Sequence, residues 1–399
     1  MAAPKMLLST LAWDERFRVE NAEDVMTPAL LLYPDSVAAN IGAIVRSLSG
    51  DANRWRAHVK TAKLAFTMRM LVERGVANFK CATTLELLVA CESGSNDVLV
   101  AYPVVGANAR RVREIAGAFP NVRVSILAEN EPQALQWRGS RVGIFLDINP
   151  GMDRTGVEQD RHTEIVALVQ AIKNAGLDFR GLHYYDGHFG NFTELERNAA
   201  AHEGYKHLLA VVTAVEQSGS AVNEVITAGT PTFLASASFS GFRGRKFVHR
   251  TSPGTVVYND ATSLAQLPAS LGLQPAVLVM TRVVSHPHAG RITCDAGHKS
   301  VSADAGLPTC VVAGHPGLTP LGPSEEHLPM AVADGAAAPK VGDILYLLPR
   351  HVCPTVNNFD VALIVRNNQV ASSEKVSARG RETPLVGEKL HAVAASREA

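Results

Sequence analysis

The stretch ANFKCATTLELLVACESGSNDVLVA, residues 77–101, decides the fold class. It opens on a short apolar run (77–82), turns at Thr-Thr into a segment with helical spacing of apolar residues (84–93), and enters a second apolar run (96–101). Two strands joined by a helix in so few residues is a parallel βαβ unit.

Outward from there the unit recurs. ALLLY (29–33), RWRAHVK (54–60), ANFKCA (77–82), NDVLVA (96–101), VRVSIL (122–127), VGIFLDI (142–148), FRGLHYY (179–185) and NEVITA (223–228) give eight candidate strands. Helix candidates occupy 36–48, 84–93, 106–117, 161–175 and 195–217. The count and spacing predict a (β/α)8 barrel over 29–265, with a doubly wound sheet as the alternative, since both alternate strand and helix. After about 265 the texture changes to short runs punctuated by Gly and Pro, which predicts a compact C-terminal β-domain. Residues 1–28 and 266–399 are assigned to it, with a surface loop at 335–338.

The chain has 399 residues, 46% hydrophobic and 19% charged, with 38 basic and 38 acidic side chains. That balance gives no global field for nucleic acid or an acidic membrane, and points to a small-molecule partner. The apolar patch near the N-terminus is too short for a secretory signal, and no window has the length of a membrane span. Five scattered cysteines, at 81, 91, 294, 310 and 353, suit a reducing cytoplasm.

Three places carry chemistry. The second candidate strand ends at Lys60, on the edge of a barrel where active sites collect, and burial in an apolar mouth would free its amine for Schiff-base chemistry. The other reading is a strand-end lysine reaching to water. Next come G-T-P-T (229–232) and S-P-G-T-V-V-Y (252–258), turns whose backbone N–H groups suit a phosphate, though each is also ordinary turn chemistry. The third is H-V-C-P-T-V-N (351–357), where His351 and Cys353, two apart, would share a face of an extended chain and grip one ion. Imidazole with thiolate favours zinc over harder ions. A buried, inert cysteine is the alternative.

R-A-H-V-K-T resembles the R-x-H-x-K segment of the D-threonine aldolase/D-serine dehydratase family, and H-V-C-P-T-V-N resembles its H-x-[CD]-P-T-x-N metal motif. D-R-T-G-V (153–157), G-L-H-Y-Y-D-G (181–187), D-A-G-H-K-S (295–300), S-E-E-H (324–327) and V-S-A-R-G (376–380) follow in the family's order, so the resemblance covers nearly the whole chain. It implies an alanine-racemase-like barrel of the pyridoxal-phosphate fold type III, followed by a β-domain, in a homodimer. Lys60 would carry pyridoxal phosphate, with His58, Arg154 and Tyr185 beside it. Gly229, Thr230, Pro231, Ser252, Gly254 and Tyr258 would hold the phosphate. His351 and Cys353 would bind the metal, zinc first, with manganese or magnesium as alternatives. Departures from the pattern are Ala62, where the family often has histidine, and A-G-T-P-T in place of G-G-G-T-G.

The resemblance implies a lyase acting on D-3-hydroxy amino acids, such as D-serine, D-threonine or 3-hydroxyaspartate. Cys353 favours β-elimination to a keto acid and ammonia over retro-aldol cleavage to glycine and an aldehyde. A racemase needs a second acid/base, usually a tyrosine of the C-terminal domain, and Tyr346 is the only tyrosine after 260. Its apolar neighbours place it in a core strand. A non-catalytic pyridoxal-phosphate carrier would not need the His351/Cys353 pair.

Overall fold

The computed structural model describes Leu8 and residues 10–383, so the apolar patch at the N-terminus falls largely outside the described residues. Two compact units are present. One comprises the residues to Gly50, Thr61–Arg74 and Gly254–Arg379; the other comprises Asp51–Lys60, Gly75–Pro253 and the residues from Gly380 on.

The second of these is an eight-stranded parallel barrel. Arg56–His58, Asn78–Cys81, Asp97–Pro103, Arg123–Ala128, Gly143–Asn149, Phe179–Tyr184, Glu224–Thr227 and Val248–Thr251 pair in that order. A parallel bridge between Trp55 and Thr251 closes the ring. Helices Thr84–Glu92, Gly106–Ala118, His162–Asn174 and Glu194–Gln217 lie close to their expected limits. Thr193 and Glu196 form a reciprocal capping box at the start of the last of them.

Because side chains alternate along a strand, residues two apart share a face, and the barrel strands show it in layers. At the N-terminal ends Arg56 bridges Asp97 and Glu224, while Arg180 and Arg250 complete the network, all buried. Two residues further on, Leu99, Phe145 and Ile226 pack with Leu127 as an apolar plug. Two more residues bring Asp147 to the C-terminal ends, where Lys80 and His183 also lie. Apolar filling below thus supports a polar mouth above.

The other unit is built on a nine-stranded sheet that includes Val277–His288, Ile344–Pro349, Val361–Arg366 and Gln369–Lys375. It also contains Ala29–Leu32, which corrects one strand assignment. ALLLY is no barrel strand: it pairs antiparallel with Val277–His288 and parallel with Val361–Arg366. An interior strand of this sheet is buried on both sides, all four residues here, and so has the continuous apolar signature of a parallel barrel strand. The barrel begins at Arg56 and gains its eighth strand from Val248–Thr251 instead. The apolar signature does not mark that strand because three of the four residues of VHRT are polar, His249 and Arg250 being buried through hydrogen bonds and ion pairs.

Candidate active site and metal-binding pair

In the barrel unit, Lys60 lies two residues beyond the first strand, at the end that carries active sites in this fold. It is exposed, and its ammonium makes no ion pair among the described residues. The burial expected of Lys60 falls on Lys80, 2% exposed, whose pKa is lowered to about 7 by burial and then by the neighbouring charge of Lys60. His58 is held well below the usual histidine range by burial and by Lys60 and Lys80.

Lys80, His183 and Asp147 form a chain that reading the sequence missed. Lys80 Nζ lies 3.4 Å from His183 Nε2, and His183 Nδ1 lies 2.7 Å from Asp147 Oδ1. Thr155 donates to the other Asp147 oxygen at 2.6 Å. The available signal was a charge inside an otherwise apolar strand, in NFKC and again in GIFLDIN.

The loop bearing Arg154 is shaped by its own polar groups. Asn149 Oδ1 accepts from the backbone N–H groups of Gly151 and Asp153, at 3.0 and 3.1 Å. Gly156, at φ +104°, approaches the strand so closely that a Cβ would sit 2.9 Å from the Asn149 nitrogen, which accounts for the glycine of D-R-T-G. The Arg154 guanidinium then stands 4.7 Å from the centre of the Tyr185 ring, with Lys80 Nζ 5.6 Å from the same centre. A Cβ on Gly187 would collide with the Tyr185 side chain, and one on Gly229 would meet its ring at 2.9 Å, so these two glycines make room for it. A small cavity is lined by Asp147, Arg154, Thr155, His183 and Tyr185, among others.

Gly229, Thr230 and Pro231 follow the seventh strand rather than the eighth, and Ser252 follows the eighth, the positions where barrel phosphate sites commonly lie. The first turn is anchored by Thr232, whose hydroxyl donates to Asp186 at 2.5 Å; Tyr205 donates to the same carboxyl at 2.7 Å. Burial raises the Asp186 pKa. Ser252 spends its hydroxyl on the Arg56 carbonyl at 3.0 Å, fixing the turn to the first strand.

In the other unit, Gly254 precedes the short helix Thr255–Val257, and Tyr258 is fully buried. The Tyr258 hydroxyl donates to the Ala62 carbonyl at 2.8 Å and meets Thr67 Oγ1 at 2.8 Å, so it braces the segment after Lys60. Tyr346 accepts from the Val19 N–H at 3.0 Å and packs against Trp13, the core position expected of it.

His351 and Cys353 are not on an extended chain. His351 caps the helix Val352–Asn357 and Cys353 lies in its first turn. Asp260 receives the N–H of Val352 at 3.0 Å, and Thr355 Oγ1 donates back to the His351 carbonyl at 2.9 Å. His351 Nδ1 sits 2.6 Å from Asp304 Oδ2, and Cys353 Sγ 3.0 Å from Thr61 Oγ1. Burial works against the charged imidazole, but Cys353 and Asp304 outweigh it and raise its pKa to about 9. Among the described residues no three His, Cys, Asp or Glu side chains gather around one point, so this pair is the candidate donor set.

Residues 33–261 match the family model "Alanine racemase, N-terminal domain", and residues 276–365 match "Putative serine dehydratase domain". A D-threonine aldolase of Arthrobacter sp is 28% identical over 369 residues, which is 89% of this chain and 93% of that protein. A D-threo-3-hydroxyaspartate dehydratase of Delftia sp. is 23% identical over 360 residues, 84% of this chain and 92% of that one. The crystal structure of D-threonine aldolase from Filomicrobium marinum superposes with a TM-score of 0.80 at 26% identity, covering 94% of this chain and 99% of that one.

Proposed function

The chain belongs to the family of the alanine racemase N-terminal domain, and on that premise we propose that it is a pyridoxal-phosphate- and metal-dependent lyase acting on D-3-hydroxy amino acids. The observation that carries the reading is an exposed Lys60 at the catalytic end of the barrel, its ammonium in no ion pair among the described residues; His351 and Cys353, at one helix start, are the candidate metal donors of the other unit.

The residues fit both groups. The amine of Lys60 is free to link a carbonyl cofactor. Gly229 makes room for the Tyr185 ring, which lines the small cavity at the barrel mouth together with Asp147, Arg154 and His183, where a cofactor ring would lie. For the metal, Asp304 engages His351 Nδ1, the outer-shell arrangement common to ligating histidines, while imidazole and thiolate together favour zinc over manganese or magnesium.

When bound, pyridoxal phosphate supplies an electron sink for the bonds at Cα. A divalent metal supplies Lewis acidity toward a β-hydroxyl. The barrel unit would do the rest: Lys60 would link the cofactor and move the proton at Cα, Arg154 and Tyr185 would orient it, and the turns at 229–231 and 252–253 would hold its phosphate end. Cys353 favours a soft metal such as zinc, and the family resemblance then favours β-elimination to a keto acid and ammonia. Retro-aldol cleavage to glycine and an aldehyde is the second reading, favoured because the D-threonine aldolases are more similar to this chain than the dehydratase is.

Purified protein supplied with pyridoxal phosphate and zinc, then incubated with D-serine, D-threonine and D-3-hydroxyaspartate, separates the two. Keto acid with ammonia supports elimination, glycine with aldehyde supports cleavage, and turnover of none of them removes the assignment. The reading includes a cytoplasmic homodimer, whose mass sedimentation measures.

A further inference from the structure

Thr61 follows Lys60 directly in the chain and is fully buried. Its hydroxyl does not turn back to its own backbone, the usual habit of a buried threonine at a turn; it meets the sulfur of Cys353 at 3.0 Å, across 292 positions of sequence. Thr255 Oγ1 lies on the same sulfur at 3.8 Å, a looser contact from the turn that precedes Tyr258. The sulfur is therefore flanked by hydroxyls from the segment after Lys60 and from the candidate phosphate turn.

The Thr61 backbone is itself braced. Tyr258 donates to the carbonyl of the next residue, Ala62, at 2.8 Å, and Lys63 Nζ reaches the Ala378 carbonyl at 3.3 Å. A hydroxyl on so fixed a segment has a defined direction, unlike one on a surface loop. A thiol at this position can either donate or accept. A thiolate only accepts, so with Cys353 ionised the Thr61 O–H becomes the donor.

We propose that Thr61 is a positioning residue for the metal site, its hydroxyl donating to the Cys353 thiolate and thereby setting the affinity of the His351/Cys353 pair and the electron density on its sulfur. This rests on the metal reading above. A donor to a ligating sulfur withdraws charge from it and fixes its rotamer; outer-shell partners of this kind are typically worth roughly 10–100-fold in metal affinity. The threonine also makes the lysine segment and the metal sulfur share one hydrogen bond, so that the ordering of one biases the other.

Cobalt(II) is the probe, because a cysteine thiolate bound to it gives a sulfur-to-metal charge-transfer absorption that reports the sulfur directly. In the wild-type protein, cobalt uptake with that band is expected, and its absence overturns the metal reading and this proposal with it. Given the band, Thr61→Val, which keeps the shape and deletes the donor, is expected to shift it and to weaken metal binding about 10–100-fold against a competing chelator. Thr61→Ser, which restores the donor, is expected to recover both. The near-420 nm absorbance of bound pyridoxal phosphate serves as the control that the Lys60 segment is still formed. A Thr61→Val protein with wild-type band position and affinity overturns the proposal while leaving the metal reading standing. So does a Thr61→Ser protein that stays as weak as Thr61→Val.

Discussion

Lys80 has the plainest consequence for a single side chain. Its pKa falls from 10.5 in the unfolded chain to about 7 in the folded barrel, with burial as the first cause. A base whose folded pKa is depressed sheds a proton on folding, so its burial costs stability in full below pH 7, and the cost fades as pH rises toward 10.5. Lys80→Met is therefore expected to raise Tm more at pH 6 than at pH 9.5, and a gain of equal size at both pH values would contradict the assignment. Arg154 makes a different test. If its planar guanidinium fixes a cofactor or substrate oxygen, Arg154→Lys loses about 10-fold or more in kcat/KM, because a point charge does not replace a two-pronged donor. Unchanged kinetics would return Arg154 to the role of a surface cation. At the metal pair, Cys353→Asp exchanges sulfur for oxygen and is expected to keep a site whose preference moves toward manganese, which metal competition measures.

Among the strands, the ion network at the N-terminal ends bears directly on stability. Arg56 is completely buried between Asp97 and Glu224, and these partners hold it charged against burial. Glu224→Gln leaves Arg56 and Arg250 short of a counter-charge inside the barrel, and a loss of about 3–5 kcal/mol is expected from chemical denaturation. A loss under about 1 kcal/mol would mean that water reaches the network.

The same strands show what the sequence could reveal. Runs such as NDVLVA and VGIFLDI were legible because parallel strands covered on both faces are continuously apolar. That same signature misplaced ALLLY, since burial on both faces does not say which sheet a strand joins. Val248–Thr251 failed in the opposite direction: its buried His249 and Arg250 are satisfied by Glu224, Thr227 and Ser236, partners whose proximity only the fold creates. Lys60, His351 and Cys353 stood out through motif and spacing. Lys80, Asp147, His183, Asp304 and Thr61 did not, because each acquires meaning from a neighbour far away in the chain.

For the molecule as a whole, turnover is expected to depend separately on pyridoxal phosphate and on a divalent metal. Among the described residues no helix is long and apolar enough to cross a membrane. Chelation is expected to abolish turnover of D-3-hydroxy amino acids while the pyridoxal chromophore persists, and added zinc to restore it; loss of the chromophore on chelation would contradict the division of labour between Lys60 and the His351/Cys353 pair. The assignment on which the rest depends is attachment of the cofactor to Lys60. Reduction of the holoprotein with borohydride, followed by peptide mass mapping, fixes the pyridoxyl group where it was attached. A single adduct on Lys60 is expected, and an adduct on Lys63 or Lys80, or none, would overturn the assignment.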